Sequence, residues 1–122
     1  MNPVLIVGAG PVGLALALAL KRAGIAAQLA DAHPAASGAE DRRVLALSHG
    51  SRQMLEKLGA WPERGWTAIG SIHVSQRDAL GRSVITAAEQ DLPALGYVCP
   101  AAALYQALAQ RARTEQIPIE YG

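Results

Sequence analysis

Three glycines and one carboxylate carry the most specific chemical signal in the sequence. Gly8, Gly10 and Gly13 stand in the run Gly8-Ala9-Gly10-Pro11-Val12-Gly13, and Asp31 follows 18 positions after the last of them. A G-x-G-x-x-G run followed by an acid at this distance suits a dinucleotide. Gly8 permits a tight turn out of a strand, Gly10 lets the backbone approach a pyrophosphate, and Gly13 lets a helix pack closely. The first helical turn, Val12 included, offers backbone N–H groups and the positive end of the helix dipole to phosphate oxygens. Asp31, with Ala32 beside it, can accept hydrogen bonds from ribose hydroxyls. The same carboxylate repels a 2′-phosphate, and no arginine follows in Ala32-His33-Pro34. NADP is therefore disfavoured, while these residues alone leave both FAD and NAD open.

Such a site needs a strand before the glycines and a helix after them. Val4-Leu5-Ile6-Val7 is an unbroken apolar run with β-branched residues, which predicts a strand buried on both faces of a parallel sheet. Pro11 suits the first helical position and Gly24 a helix end, so a helix is expected from about Pro11 to Ala23. A second strand over about Ala26 to Asp31 completes a β-α-β unit, right-handed by the crossover rule. His33 to Asp41 is small and polar and reads as an exposed loop. Ser51 to Leu58 has helical spacing at Met54, Leu55 and Leu58, with Ser48 as cap and Gly59 as stop. Ile69 to Gln76 and Arg82 to Thr86 predict a hairpin around Asp78 to Gly81. A last helix begins near Pro100 with Leu104 and Leu108 on one face, and Ile117 to Tyr121 predicts a strand. The fold class is α/β: a Rossmann-like FAD/NAD(P)-binding β-α-β unit with an added β-hairpin, incomplete as a domain.

Composition narrows the partners. Eleven basic residues are offset by ten acidic ones, so nothing marks a nucleic-acid binder. Arg111 and Arg113 read as a solvated face. The single cysteine, Cys99, excludes an internal disulfide and reads as a small buried hydrophobe. His33, His49 and His73 show no metal-ligand spacing and read as surface or loop histidines. Glycines interrupt the apolar run 4–20, so no transmembrane segment is expected and the cytoplasm is the default compartment.

The run Asp41-Arg42-Arg43-Val44-Leu45-Ala46-Leu47-Ser48 is followed by Leu58-Gly59-Ala60-Trp61. Together with Gly8-Ala9-Gly10-Pro11-Val12-Gly13-Leu14, these resemble the flavoprotein aromatic hydroxylases of the para-hydroxybenzoate hydroxylase type. Within them the chain is most similar to the ubiquinone-biosynthesis hydroxylases. Ile72-His73-Val74-Ser75 through Ala94-Leu95-Gly96 resembles the 2-octaprenyl-6-methoxyphenol hydroxylase branch. The resemblance covers nearly the whole chain, and only the N-terminal third or so of such an enzyme.

The resemblance implies FAD as the dinucleotide, NAD(P)H as a transient reductant and O₂ as co-substrate. It implies hydroxylation of a prenylated phenol, other ubiquinone-biosynthesis proteins as partners, and peripheral attachment at the inner face of a membrane. It places Arg43 against the pyrophosphate and ribityl side of FAD, where a guanidinium gives permanent, bidentate contact with phosphate. By residue type alone, Arg43 also suits a surface ion pair with Asp41 or Glu40. Relatives carry a polar or basic cofactor contact at the start of the later helix. Pro100-Ala101-Ala102-Ala103 has none, and no site is assigned there. The cofactor-binding set is Gly8, Gly10, Val12, Gly13, Asp31, Ala32 and Arg43, with no acid–base catalyst. The family's later Asp-Gly and Gly-Asp segments and its substrate domain do not occur in these residues. The 122 residues therefore read as the N-terminal portion of an FAD-binding domain, not expected to turn over alone. A truncated sheet of this kind would also carry an unpaired edge.

Overall fold

The computed structural model of the chain describes residues 2–35, 37–75 and 82–122. The chain leaves strand β1 (Val4–Val7) through the glycine turn, enters helix α1 (Pro11–Arg22) and returns in β2 (Ala27–Asp31). β1 and β2 are parallel, with Val4 opposite Ala27 and Val7 opposite Ala30. Pro11 occupies the first turn of α1, where its missing N–H has no intrahelical role. Ala23 caps the helix, and Gly24 follows at φ +78°, a conformation that favours glycine.

A second sheet sits beside this unit. It is antiparallel and is built from β3 (Val44–Ser48), β4 (Thr67–Ile69) and β7 (Gly96–Pro100), in the order β3-β7-β4. Helix α2 (His49–Lys57) follows β3 directly, and Ser48 caps it by accepting from Ser51 N–H at 3.0 Å. β5 (Ser71–Ser75) and β6 (Arg82–Thr86) form an antiparallel pair, so the two strands of the expected hairpin are present. Its turn, Asp78 to Gly81, lies outside the described residues. α3 (Ala101–Thr114) then carries the chain to β8 (Ile119–Tyr121), which pairs parallel with β2 and gives the order β1-β2-β8.

One apolar core joins the elements. Leu14, Ala17 and Leu18 of α1 and Ile6 and Leu29 of the parallel sheet cluster with Leu104, Leu108 and Ala112 of α3 and with Leu55 and Leu58. Cys99 is fully buried in the same cluster, as its apolar surroundings predict.

A second cluster surrounds Tyr97 on β7. Trp61 and Trp66 lie edge-on to its ring, at centroid distances of 5.4 and 5.7 Å. The Arg52 guanidinium of α2 sits over all three rings, 4.5 to 5.1 Å from their centroids. His49 Nδ1 pairs with the Tyr97 hydroxyl at 2.9 Å. His49 is thus tied into the interior face rather than free at the surface.

Several expectations change. Val4–Val7 is not covered on both faces: Ile6 alone is buried, and Val7 is 85% exposed. β1 ends the strand order among the described residues, and α1 covers a single face. The strand expected over Ile69 to Gln76 is divided. Residues before Gly70 pair with β7 and residues after it with β6. The loop His33 to Asp41 contains a 3-10 turn (Ser37–Glu40) docked on α3, with Gly38 against the Tyr105 ring and Ala39 against the core. Met54 is exposed although Leu55 and Leu58 are buried. Arg111 is only partly solvated, because it lies over Gly59 and pairs with Glu115.

Candidate functional site: the glycine turn and Asp31

The site forms where β1 and β2 end together. Gly8 turns the chain at φ +110°, and its N–H donates to Ala30 C=O at 2.7 Å. A Cβ on Gly13 would lie 1.9 Å from the Gly8 carbonyl oxygen, so the first turn of α1 rests directly on the glycine turn. A Cβ on Gly10 would meet nothing within 4 Å. Gly10 instead faces the open space that a Cβ would begin to fill.

Leu14 N–H is the first to bond back into the helix, to Gly10 C=O at 2.9 Å. The N–H groups of Gly10, Val12 and Gly13 have no protein partner among the described residues. Three donors beside an open cradle at the positive end of a 12-residue helix form a donor set that fits a pyrophosphate.

Asp31 closes the other side. Its Oδ2 accepts from Ala9 N–H at 2.8 Å, which ties the end of β2 to the glycine turn. Its Oδ1 accepts from His33 N–H at 2.8 Å and faces His33 Nδ1 at 2.9 Å. The backbone donors of His33 and Ala9, followed by the His33 side chain, hold this carboxyl below the usual aspartate range. The group is therefore anionic, an acceptor only, and suited to hydroxyls. Ala32 is exposed beside it, and Gly122 N–H donates to Asp31 C=O at 2.7 Å.

The structure thus brings Gly8, Gly10, Val12, Gly13, Asp31 and Ala32 into one place. Arg43 lies immediately before β3, with its carbonyl accepting from Ala101 N–H at the start of α3. Its guanidinium is bonded to Asp41 through Nη2 at 2.7 Å and through Nε at 3.0 and 3.1 Å. No bond ties Arg43 to the glycine turn among the described residues. The ion pair with Asp41, which residue type alone allowed, is present, and the guanidinium is 73% exposed.

That side-chain pairing, followed by a bond from Arg43 N–H, lowers the Asp41 carboxyl from 3.8 to about 2. Because the folded value lies below the unfolded one, the contribution of the pair is complete above pH about 4 and disappears as pH falls through about 2. Carboxyl-resolved NMR titration should find Asp41 titrating near 2 and Arg43→Ala returning it toward the ordinary range.

Sequence reading missed two participants, the Ala9 N–H and His33. The available signal for His33 was the Asp-x-His spacing, since an aspartate readily accepts from the N–H two residues on.

Residues 1–122 match the FAD binding domain family along their whole length. The chain belongs to this family. The chain is accordingly an FAD-binding domain, with FAD as its cofactor. The ubiquinone hydroxylase UbiM of Neisseria meningitidis serogroup C is 38% identical over 63 residues, 49% of this FAD-binding domain and 14% of that protein. Among solved structures, p-nitrophenol 4-monooxygenase PnpA from Pseudomonas putida DLL-E4 superposes with a TM-score of 0.75 at 19% identity, over 99% of this chain and 32% of its own. 2-Methyl-3-hydroxypyridine-5-carboxylic acid oxygenase gives 0.74 at 23% identity, over 99% of this chain and 31% of its own. The flavin-dependent monooxygenase PieE, solved with FAD and substrate, gives 0.69 at 24% identity over 98% and 23%. At these identities the solved structures establish the fold. The chain spans about a third or less of each of these relatives.

Proposed function

We propose that this chain is the N-terminal FAD-binding portion of a flavin monooxygenase that hydroxylates a polyprenylated phenol in ubiquinone biosynthesis, using NAD(P)H and O₂. The observation that carries the reading is the glycine turn, with its open cradle and its bond to Asp31, inside a chain matched throughout by the FAD-binding family. The ubiquinone hydroxylase relative supports the substrate class, and the oxygenase folds support the reaction type.

Bound FAD supplies the redox and oxygen-activating chemistry. The residues here bind and orient it. Gly8 shapes the turn, and the N–H groups of Gly10, Val12 and Gly13 donate to the pyrophosphate. Asp31 accepts from ribose hydroxyls with Ala32 beside it. Arg43, exposed and with bidentate donors, would hold a phosphate oxygen in place of Asp41. None of these groups moves a proton in the hydroxylation. No helix among the described residues is long and apolar enough to cross a membrane. A prenylated substrate would place the protein at the cytoplasmic face of a membrane by peripheral attachment, beside other proteins of the same biosynthesis.

Incubating the purified chain with FAD tests the cofactor assignment. Flavin absorbance should co-purify, and FAD at about 100 times its Kd should add roughly 2.7 kcal/mol of stability. Stabilisation by NAD and not by FAD would overturn the assignment. For the substrate, a prenylated phenol should stimulate NAD(P)H oxidation by the intact flavoprotein more than a tail-less phenol. Equal stimulation removes the prenyl part of the reading.

A further inference from the structure

The Asp31 carboxylate is nearly saturated before any ligand arrives. A carboxylate offers about four acceptor positions. Ala9 N–H takes one on Oδ2, His33 N–H takes one on Oδ1, and the His33 ring takes a second on Oδ1. One position remains, whereas the two neighbouring hydroxyls of an adenosine ribose need two. The two backbone bonds come from main-chain N–H groups and hold the carboxylate whatever residue other than proline stands at 33. The ring bond is different. Its side chain is 78% exposed, and it bonds to nothing but Asp31 among the described residues.

We propose that His33 sets dinucleotide affinity by occupying the Asp31 acceptor that the second ribose hydroxyl requires, so the imidazole must swing outward for the diol to be held. The inference rests on Asp31 receiving the ribose. It makes His33 a positioning residue that acts through Asp31 and competes with the ligand. The exposed ring has room to leave, and the exchange replaces one hydrogen bond with another, so the barrier to binding is small. The competition itself persists at equilibrium.

Binding isotherms for ADP and for 2′,3′-dideoxy-ADP, on the purified 122-residue chain and two variants, test the proposal. His33→Ala should bind ADP about three- to tenfold more tightly, the size of one net hydrogen bond. It should bind the dideoxy nucleotide no differently, because that ligand has no hydroxyl to claim the freed position. Asp31→Asn has one acceptor oxygen where the carboxylate has two. It should weaken ADP by a larger factor than it weakens the dideoxy nucleotide, because both lose the Ala9 or His33 N–H bond and only ADP also loses the ribose contact. An unaltered or weaker ADP affinity in His33→Ala, with Asp31→Asn behaving as stated, overturns the role of His33 and leaves the ribose assignment standing. Equal tightening of both nucleotides in His33→Ala also overturns it, since a general change of charge or access would act on either ligand. An Asp31→Asn variant that binds ADP normally overturns the ribose assignment and the proposal with it.

Discussion

Gly13→Ala is expected to lower the melting temperature by about 10 °C or more and to abolish FAD retention. Gly13 carries no positive φ, so the helix itself would accept alanine there. The obstacle is steric. The new methyl would stand 1.9 Å from the Gly8 carbonyl oxygen, 3.1 Å from its carbon and 3.4 Å from the Ile6 side chain. Two of these neighbours are backbone, and Gly8 is itself fixed by its bond to Ala30. Either α1 lifts off the end of β1 or the glycine turn opens. Overpacking of this kind costs about 3 kcal/mol, and each kcal/mol shifts a domain of this size by roughly 3–5 °C.

The companion variant separates folding from binding. A methyl at Gly10 meets no protein atom within 4 Å, so Gly10→Ala should melt within about 2 °C of the parent. It should nevertheless bind FAD less tightly, because the methyl enters the cradle. Thermal denaturation and FAD titration of both variants check the pair. A Gly13→Ala protein that melts like the parent would mean that the helix does not rest on the turn.

Tyr97→Ala is expected to cost about 3–5 kcal/mol, as for other large buried aromatics cut back to alanine. Tyr97 is 2% exposed and is the ring on which Trp61, Trp66 and Arg52 converge. Its removal opens a cavity between β7 and α2, leaves His49 without its hydroxyl partner, and takes one face from the Arg52 guanidinium. Tyr97→Phe keeps the packing and loses the bond to His49, so it should cost nearer 1 kcal/mol. Urea denaturation followed by tryptophan fluorescence reads both, since both tryptophans lie in the cluster. Equal losses in the two variants would place the energy in the hydroxyl rather than in the ring.

The dinucleotide unit was legible because its signals are local. A strand, a glycine turn, a helix start and an acid lie within 31 residues, and each obeys a backbone rule that holds whatever surrounds it. Gly8 at positive φ, Pro11 in the first turn, Ser48 as a cap and Gly24 as a stop all stand where those rules put them. The two strands of the hairpin, the apolar face of α3 and the return of the chain into β8 were legible for the same reason.

The second sheet was not legible. Val44–Ser48 and Gly96–Pro100 are short apolar runs whose strand character depends on each other. They are about 50 residues apart, and no periodicity within either one announces the pairing. The ring cluster had the same origin, since Arg52, Trp61, Trp66 and Tyr97 meet through three different segments. Burial of β1 was misjudged because apolar composition reports what a strand can tolerate, and the neighbours decide what covers it.

By itself, then, the sequence determined the β-α-β unit, its glycine turn and the acid at the end of its second strand, because those follow from backbone conformation and near-neighbour spacing. Only the tertiary structure decided that Asp31 is bound to the N–H of Ala9, 22 residues before it, and that Arg52, Trp61 and Trp66 meet on Tyr97. It also decided that Gly13 lies against the Gly8 carbonyl. Each of these is a contact between atoms whose separation is set by how elements pack, and spacing along a chain does not encode that distance.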